Sequence, residues 1–448
     1  MLSAFANVFK VPDLKKKLLF TLGIIVVYRL GSFVPTPGID SHELAKFFNT
    51  LAESQSTIFG IMNMFSGGAV HRMTIFALGI MPYISASIIF QLLTVVIPQL
   101  EKLAKEGEMG RRKINQYTRY GTVALALMQS FFIALWLENP AHFGGMQIVP
   151  NPGWDFRIVT VLSLTTGTAF IMWLGEQIQE KGIGNGISLL ITAGIISRVP
   201  TGIYQMFGLI SPMDAAKRQL DPLVAILMFA IMIIAIVAVI TLTQGERKIP
   251  VQYAKRIVGR KVVGGQATYI PFKVNQGGVI PIIFAQSIIL FPATIGAFLP
   301  NPFIQQVAQS IRPGGTAYSI AYVILIVFFC YFYAAISFNP VEVAENMKKY
   351  GGFIPGVRPG KPTAGFFDYI INRITLPGGF FLALIAIFPD LITRWMNIPY
   401  TVADFFGGTA LLIVVGVALD TMKQIESQLL MRNYEGFMKR GRIRGRFS

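Results

Sequence analysis

Ten long apolar runs dictate what this chain can become. They cover roughly residues 18–34, 73–97, 120–137, 158–174, 184–210, 222–243, 277–299, 317–338, 375–393 and 402–419. Each reaches the roughly 17 residues that a helix needs to cross the hydrocarbon core of a bilayer. Lipid offers the backbone no hydrogen-bond partner, so such runs must satisfy their own peptide groups as helices. Composition agrees, with 53% hydrophobic and only 14% charged residues, against about 25% charged in soluble domains. The expected fold class is an all-α polytopic membrane protein with ten transmembrane helices.

The basic residues give this bundle an orientation. Thirty of the 39 Lys and Arg fall in the N-terminal segment and in the alternate connections near 98–119, 175–182, 244–273, 339–374 and 420–448. The opposite side holds only Lys46, Arg72, Arg157, Arg198, Lys217, Arg218, Arg312 and Arg394. Positive charge stays on the cytosolic side, so both termini are expected there. An even number of spans requires the same. No cleavable signal pattern opens the chain; Lys15–Lys17 before Leu18–Val27 reads as the basic flank of a retained first span. The single cysteine, Cys330, lies in an apolar run and reads as a small buried side chain.

Two internal echoes divide the chain. Gly79–Ile89 (GIMPYISASII) and Gly278–Ile288 (GVIPIIFAQSI) share Gly, Pro, Ile, Ala and Ile at the same offsets. Proline inside an apolar helix costs about 3 kcal/mol unless neighbours compensate. The same costly choice made twice points to one element used twice. Gly186–Ile191 (GISLLI) and Gly408–Ile413 (GTALLI) form a second pair in the same order. Span two then matches span seven, and span five matches span ten. Five is odd, so two such halves enter from opposite sides and are inverted. Shared letters from an Ile- and Ala-rich composition are the competing explanation.

The expected organisation follows. Residues 1–17 form a cytosolic segment, and 18–210 the first half. An external linker covers 211–221 and the second half 222–419, with a basic tail over 420–448. Arg29, near the outer end of span one, is expected to snorkel or to pair with a carbonyl. After it, Thr57–Met64 is apolar but too short to span, and Phe65-Ser66-Gly67-Gly68-Ala69 follows. This segment, 57–72, is either a mobile helix folding back into a cavity or a cap on the bundle. The loop 244–273 alternates Val, Ile and Tyr with Lys and Arg around Gly264-Gly265 and reads as a basic β-hairpin. Loop 339–374 carries FIPGVRPG, whose Pro and Gly fix a non-helical finger holding Arg358 outward. The tail, KRGRIRGRFS, favours anionic lipid or RNA.

Chemistry is hard to place in this sequence. GIGNG at 182–186 lacks the Lys-Ser/Thr of a phosphate loop, and Gly360-Lys361 runs into Pro362. The three histidines, His42, His71 and His142, are scattered, and no zinc, paired-cysteine or serine-elbow motif is present. Neither an enzyme nor a cofactor is expected. An ion-driven transporter needs ionisable groups near mid-span, yet Glu138, Glu176, Asp390 and Asp420 fall at span ends. Spans two, five, seven and ten offer Ile84, Ile191, Ile283 and Ile413 instead. Converging, these would make an apolar constriction that excludes hydrated ions by dewetting; ordinary helix packing explains them equally. Pro82 and Pro281, with polar Ser85, Ser87, Gln91, Gln286 and Ser287, are candidates to loosen a seam between spans two and seven. A secondary transporter and a membrane scaffold for ribosomes are the alternatives that repeats and basic loops leave open.

Long stretches then point to one family. MFSGGAVHRMTIFALGIMPYISASI (64–88), EGEMGRRKINQYTRYG (106–121), MWLGEQIQEKGIGNGIS (172–188), GVIPIIFAQSIILFPATI (278–295), FIPGVRPGKPT (353–363) and GGTALLIVV (407–415) closely resemble bacterial SecY. SecY is the channel-forming subunit of the Sec translocase. The resemblance runs from the first span to the tail. It implies two inverted five-helix halves around a central pore in the bacterial plasma membrane. It implies a pore ring at Ile80, Ile84, Ile187, Ile191, Ile283 and Ile413. The plug it implies contains Ile58, Phe59, Met62, Met64, Phe65, Ser66, Gly67, Gly68 and Arg72. Its lateral gate lies between spans two and seven, at Pro82, Ser87, Gln91, Pro281, Gln286 and Ser287. Its docking loops present Arg247, Lys248, Tyr253, Lys255, Arg256, Arg260 and Arg358. The implied partners are SecE, SecG, the SecA motor ATPase, the ribosome with its RNA, signal sequences, nascent polypeptides and the lipid bilayer.

Overall fold

The computed structural model describes residues 11–53, 63, 66–210, 222–253, 256–258, 261–263, 267–298, 315–396 and 408–440. Outside these lie the expected linker 211–221 and the plug candidates Ile58, Phe59, Met62, Met64 and Phe65. Lys255, Arg260, Gly264-Gly265 and the tail beyond 440 lie outside them too. Contacts divide the chain into two units. One comprises Met1–Gln205, Thr294–Gln305 and Val417–Ser448; the other comprises Met206–Ala293 and Gln306–Gly416.

Both units are built mainly of helices. The helices of the first are α1 (Pro12–Gly31), α2 (Ser41–Glu53), α3 (Met81–Val96), α4 (Pro98–Lys105), α5 (Glu108–Glu138), α6 (Trp154–Lys181) and α7 (Gly186–Ile196), with α8 (Val199–Ile210) running out of it. The second holds α9 (Pro222–Gln244), the start of α10 (Ile280–Phe298), α11 (Thr316–Ser337), α12 (Pro340–Lys349) and α13 (Lys361–Met396). The last helix, α14 (Gly408–Arg440), begins in the second unit and continues into the first.

Among the described residues, seven helical stretches are long and apolar enough to cross a membrane, or eight if the pair α3 and α4, bent by 99°, counts as one. The apolar run 18–34 falls largely on α1, whose Lys15–Lys17 and Arg29 keep it charged at both ends. Run 277–299 falls on α10, apolar over Ile280–Leu290.

Helix boundaries differ from the sequence reading where charge or glycine misled it. The basic stretch from Glu108 is not a loop: it is the first part of α5, a 31-residue helix. Likewise Gly175–Lys181 continues α6 as helix. Charged residues lengthen these helices because water satisfies their exposed side chains while the backbone keeps its ladder. Span two, in contrast, starts late. Residues 66–80 form successive turns, and helix begins only at Met81.

That late start changes the meaning of the repeated proline. Pro82 is the second residue of α3 and Pro281 the second of α10. In the first turn the missing N–H costs no helical hydrogen bond, and the fixed φ suits the helix. Each proline follows a glycine held in the left-handed region, Gly79 at φ 57° and Gly278 at φ 61°. The first helical bond inside each is the same, Ile84 N–H to the Ile80 carbonyl and Ile283 N–H to the Val279 carbonyl. The second echo behaves alike, since α7 begins at Gly186 and α14 at Gly408. The repeats are helix starts rather than helix interiors.

The segment Ser66–Ile80 is pinned from several sides. Met73 and Val34 carbonyls accept from the N–H groups of Thr36 and Ile75, each at 3.0 Å. A Cβ on Gly31 of α1 would strike the Phe76 ring, and one on Gly167 of α6 would strike the Ile75 carbonyl. Tyr28 stacks on Phe76 with ring centres 5.9 Å apart. Val70, Met73, Ala77 and Leu78 join Leu44 and Phe48 of α2, Trp136 and Leu137 of α5 and Phe156 and Leu164 of α6 in one core. At about 1.5–3 kcal/mol per large apolar side chain, that core fixes the segment firmly.

His71 sits in this packing with its ring stacked on Phe48, centres 4.6 Å apart. Its backbone N–H donates to Asn63 Oδ1 at 3.2 Å. Burial, with smaller contributions from Arg198 and Arg72, pushes its pKa down to about 4 from 6.5. The folded ring therefore binds a proton near pH 4, while the unfolded ring binds one near pH 6.5. Its neutral form favours folding above pH 6.5, and that contribution is lost as pH falls through 6.5 toward 4. In lipid nanodiscs the thermal midpoint should fall between pH 7 and pH 5, and His71→Gln should flatten that fall. The same pH dependence in both proteins would refute the assignment.

Candidate pore, gate and docking surface

The six ring candidates share one structural context. Ile80 caps α3 and Ile84 lies in its first turn; Ile187 and Ile191 lie in the first two turns of α7. Ile283 lies in the first turn of α10 and Ile413 in the second turn of α14. Ile80, Ile84, Ile191, Ile283 and Ile413 are buried, and Ile187 is half-buried. The first four residues belong to the first unit and the last two to the second. α7 opens with Asn185, whose side chain accepts from the Ser188 N–H at 3.3 Å and so satisfies one free donor of the helix start.

The gate candidates lie further along the same helices. Pro82 is buried, while Ser87 and Gln91 are half-buried on α3. Gln91 Nε2 donates to Ser87 Oγ at 3.1 Å, one turn back. On α10, Pro281, Gln286 and Ser287 are all buried. Ser287 Oγ donates to its own helix at the Ile283 carbonyl, 2.8 Å away. Gln286 Nε2 donates to Tyr318 Oη of α11 at 3.2 Å, while its buried Oε1 has no hydrogen-bond partner. A buried carbonyl oxygen without a donor costs about 1–3 kcal/mol.

Of the plug candidates inside the described residues, Ser66 is buried and Arg72 exposed. Gly67 and Gly68 both take left-handed backbone, at φ 65° and 93°. They turn the chain sharply between Asn63, whose carbonyl accepts from the Gly68 N–H at 3.0 Å, and the pinned segment that follows. The expected pairing of Arg29 with a carbonyl is present: Nη1 donates to the Gly67 oxygen at 3.0 Å.

The basic loops build a surface that sequence reading did not anticipate. The hairpin is present, with β1 (Glu246–Tyr253) antiparallel to β4 (Ala267–Lys273) in the register Ile249 to Ile270. Beyond it β2 (Arg256–Val258) pairs antiparallel with β3 (Lys261–Val263), Val258 opposite Lys261. A fifth strand, β5 (Gly352–Phe353), comes from the other loop and pairs with β1, Gln252 to Phe353 and Tyr253 to Gly352. The two loops thus share one sheet, ordered β4-β1-β5. Two residues of strand carry too little alternation to be found in a sequence.

One apolar core underlies that sheet. Ile249, Val251 and Phe272 of the strands pack with Ala344 and Met347 of α12, Ile354 of the finger and Phe367, Ile370 and Ile371 of α13. The finger is braced by the Val357 N–H to the Ile354 carbonyl at 3.1 Å and by Thr363 Oγ1 to the Arg358 carbonyl at 2.9 Å. Arg358, Arg247 and Lys248 are exposed, with Lys248 Nζ only 3.4 Å from Glu246 Oε1. Tyr253 lies flat over Gly352, where a Cβ would come within 3.0 Å of its ring. Arg256 falls on β2.

Comparison with known proteins points to one family. The SecY family model matches residues 74–422. The protein translocase subunit SecY of Aquifex aeolicus is 47% identical over 433 residues, 96% of this chain and 98% of that protein. Those of Thermus thermophilus and Escherichia coli K12 are also 47% identical, over 100% and 97% of this chain and 100% and 96% of their own length. Among solved structures, one described as "The structure of a protein conducting channel" is similar at a TM-score of 0.60 and 18% identity, covering 93% of this chain and 92% of that one. "Sec61 in the Canine ribosome-channel complex from the endoplasmic reticulum" is similar at a TM-score of 0.56 and 17% identity, covering 93% and 92%. With a family model covering most of its length and relatives near half identity end to end, the chain belongs to the SecY family.

Proposed function

We propose that this chain is the protein-conducting channel of a bacterial Sec translocon. It passes unfolded secretory polypeptides across the plasma membrane and releases transmembrane segments sideways into lipid. Ten spans in two inverted halves surround the pore, and both termini face the cytosol. The observation that carries the reading is the placement of five isoleucines in the first two turns, and of Ile80 at the cap, of four helices whose starts repeat in sequence. At those positions an ion-coupled transporter would carry ionisable groups. A ring of branched apolar side chains seals against hydrated ions by dewetting and yields to an extended chain of any sequence.

The lateral gate runs between α3 and α10. An apolar signal helix entering there partitions into lipid with about 0.8 kcal/mol per buried CH₂, while a polar chain stays in the pore. The plug is the segment 57–72, whose described part carries the left-handed Gly67-Gly68 turn. SecE clamps the halves and SecG accompanies them. The shared sheet and the Arg358 finger form one exposed basic platform for SecA or for ribosomal RNA. Energy comes from those partners, and the channel supplies a seal and a seam.

Replacing Ile413 or Ile283 by Asn should raise ion leak through the complex in vesicles and increase export of precursors with weakened signals. Unchanged leak and unchanged export would remove the ring. Arg358→Glu reverses the charge on an exposed, braced turn and should cut SecA-driven export at least tenfold while the complex assembles normally; wild-type export would contradict the docking role. Uptake of a small solute by vesicles lacking any polypeptide cargo or motor would overturn the channel reading itself.

A further inference from the structure

The glycine turn within the plug candidate segment is gripped by the end of the first helix. Arg29 Nη1 donates to the Gly67 carbonyl at 3.0 Å, and the neighbouring Tyr28 Oη donates to the Ser66 carbonyl at 3.5 Å. The Arg29 guanidinium also lies over the Phe33 ring, 5.6 Å from its centre. From the other side α7 closes in. A Cβ on Gly67 would come within 2.9 Å of both Arg29 Nη1 and the Cα of Gly194. With φ at 65°, only glycine fits there. Gly67 is therefore held between a cation and a backbone, with its carbonyl turned to the cation.

We infer that Arg29 is a positioning residue that latches the turn Ser66–Ala69 in its seated conformation, so that releasing this latch sets how strong a signal sequence must be to open the channel. The inference rests on the channel reading above and extends it. A charged donor on a carbonyl is stronger than a neutral one, and its loss shifts a two-state segment by about tenfold or more. The grip acts on one peptide oxygen, whereas the downstream segment is fixed by side-chain packing. Loss of Arg29 thus frees the turn and leaves the core beyond it in place. Lysine restores the charge as a single point donor without the planar fork that spans ring and carbonyl.

The test uses the full-length complex in nanodiscs and in export-competent vesicles. Hydrogen exchange is read at the amides of Gly68, Ala69, Val70 and His71, whose acceptors all lie within this turn or at Asn63. Arg29→Gln should speed their exchange about tenfold and raise export of a weak-signal precursor several-fold, with the amides of α5 and α6 unchanged. Arg29→Lys should fall between Arg29→Gln and wild type on both measures. Unchanged exchange in Arg29→Gln overturns the latch. Faster exchange without added export also overturns it, provided Ile413→Asn raises export in the same vesicles. Should Ile413→Asn leave export unchanged as well, the pore ring fails, and exchange alone decides whether Arg29 holds the turn.

Discussion

Lipid hydrogen-bonds nothing, and the rest of this protein is arranged around that fact. Every spanning segment must be helix, so a helix that stops or starts short needs local partners for its free peptide groups. The chain solves this four times. Left-handed Gly79 and Gly278 turn the backbone into α3 and α10, with proline second in each helix where no donor is wanted. Asn185 caps α7 with its side chain. At Gly408, again left-handed, the close approach is to Pro389 of α13. The candidate ring isoleucines stand at or directly behind these starts, so the device that ends the irregular backbone also places these apolar side chains.

The same constraint explains where irregular chain is tolerated. Ser66–Ile80 is non-helical yet largely buried, and many of its peptide groups have partners. Val34 and Thr36 bridge to it, Arg29 and Tyr28 reach its carbonyls, and glycines on α1 and α6 make room for Phe76 and Ile75. Of the two roles expected for Arg29 at the end of its span, snorkelling or pairing with a carbonyl, it takes the second. Its charge is met by a peptide oxygen and the face of Phe33.

Away from lipid the rules relax, and β structure becomes available. Water satisfies an open sheet edge, so the basic loops could build a sheet of three strands over a core of their own. Joining β5 to β1 ties two connections that lie about a hundred residues apart in the chain. Arg358 is thereby mounted on the same rigid body as Arg247 and Lys248, and a partner meets one surface rather than two separate loops.

Much of this was legible in the letters. Apolar run length and charge dictated a helical membrane protein and its basic face, because both depend on composition over windows rather than on neighbours in space. The two echoes marked helix starts of like build, and the alternation in 244–273 gave the hairpin. What the letters could not say was where each helix begins, since Met81 and its predecessors are equally apolar and only the φ of Gly79 separates them. Nor could they pair Gly352-Phe353 with Gln252-Tyr253, because two residues carry no period. The sequence by itself determined which segments meet lipid and which meet water, a matter of transfer free energy residue by residue. Tertiary structure alone decided which backbone atoms are held, Gly67 by Arg29 and Ile75 by Val34, because hydrogen bonds depend on direction and distance between segments that no local pattern records.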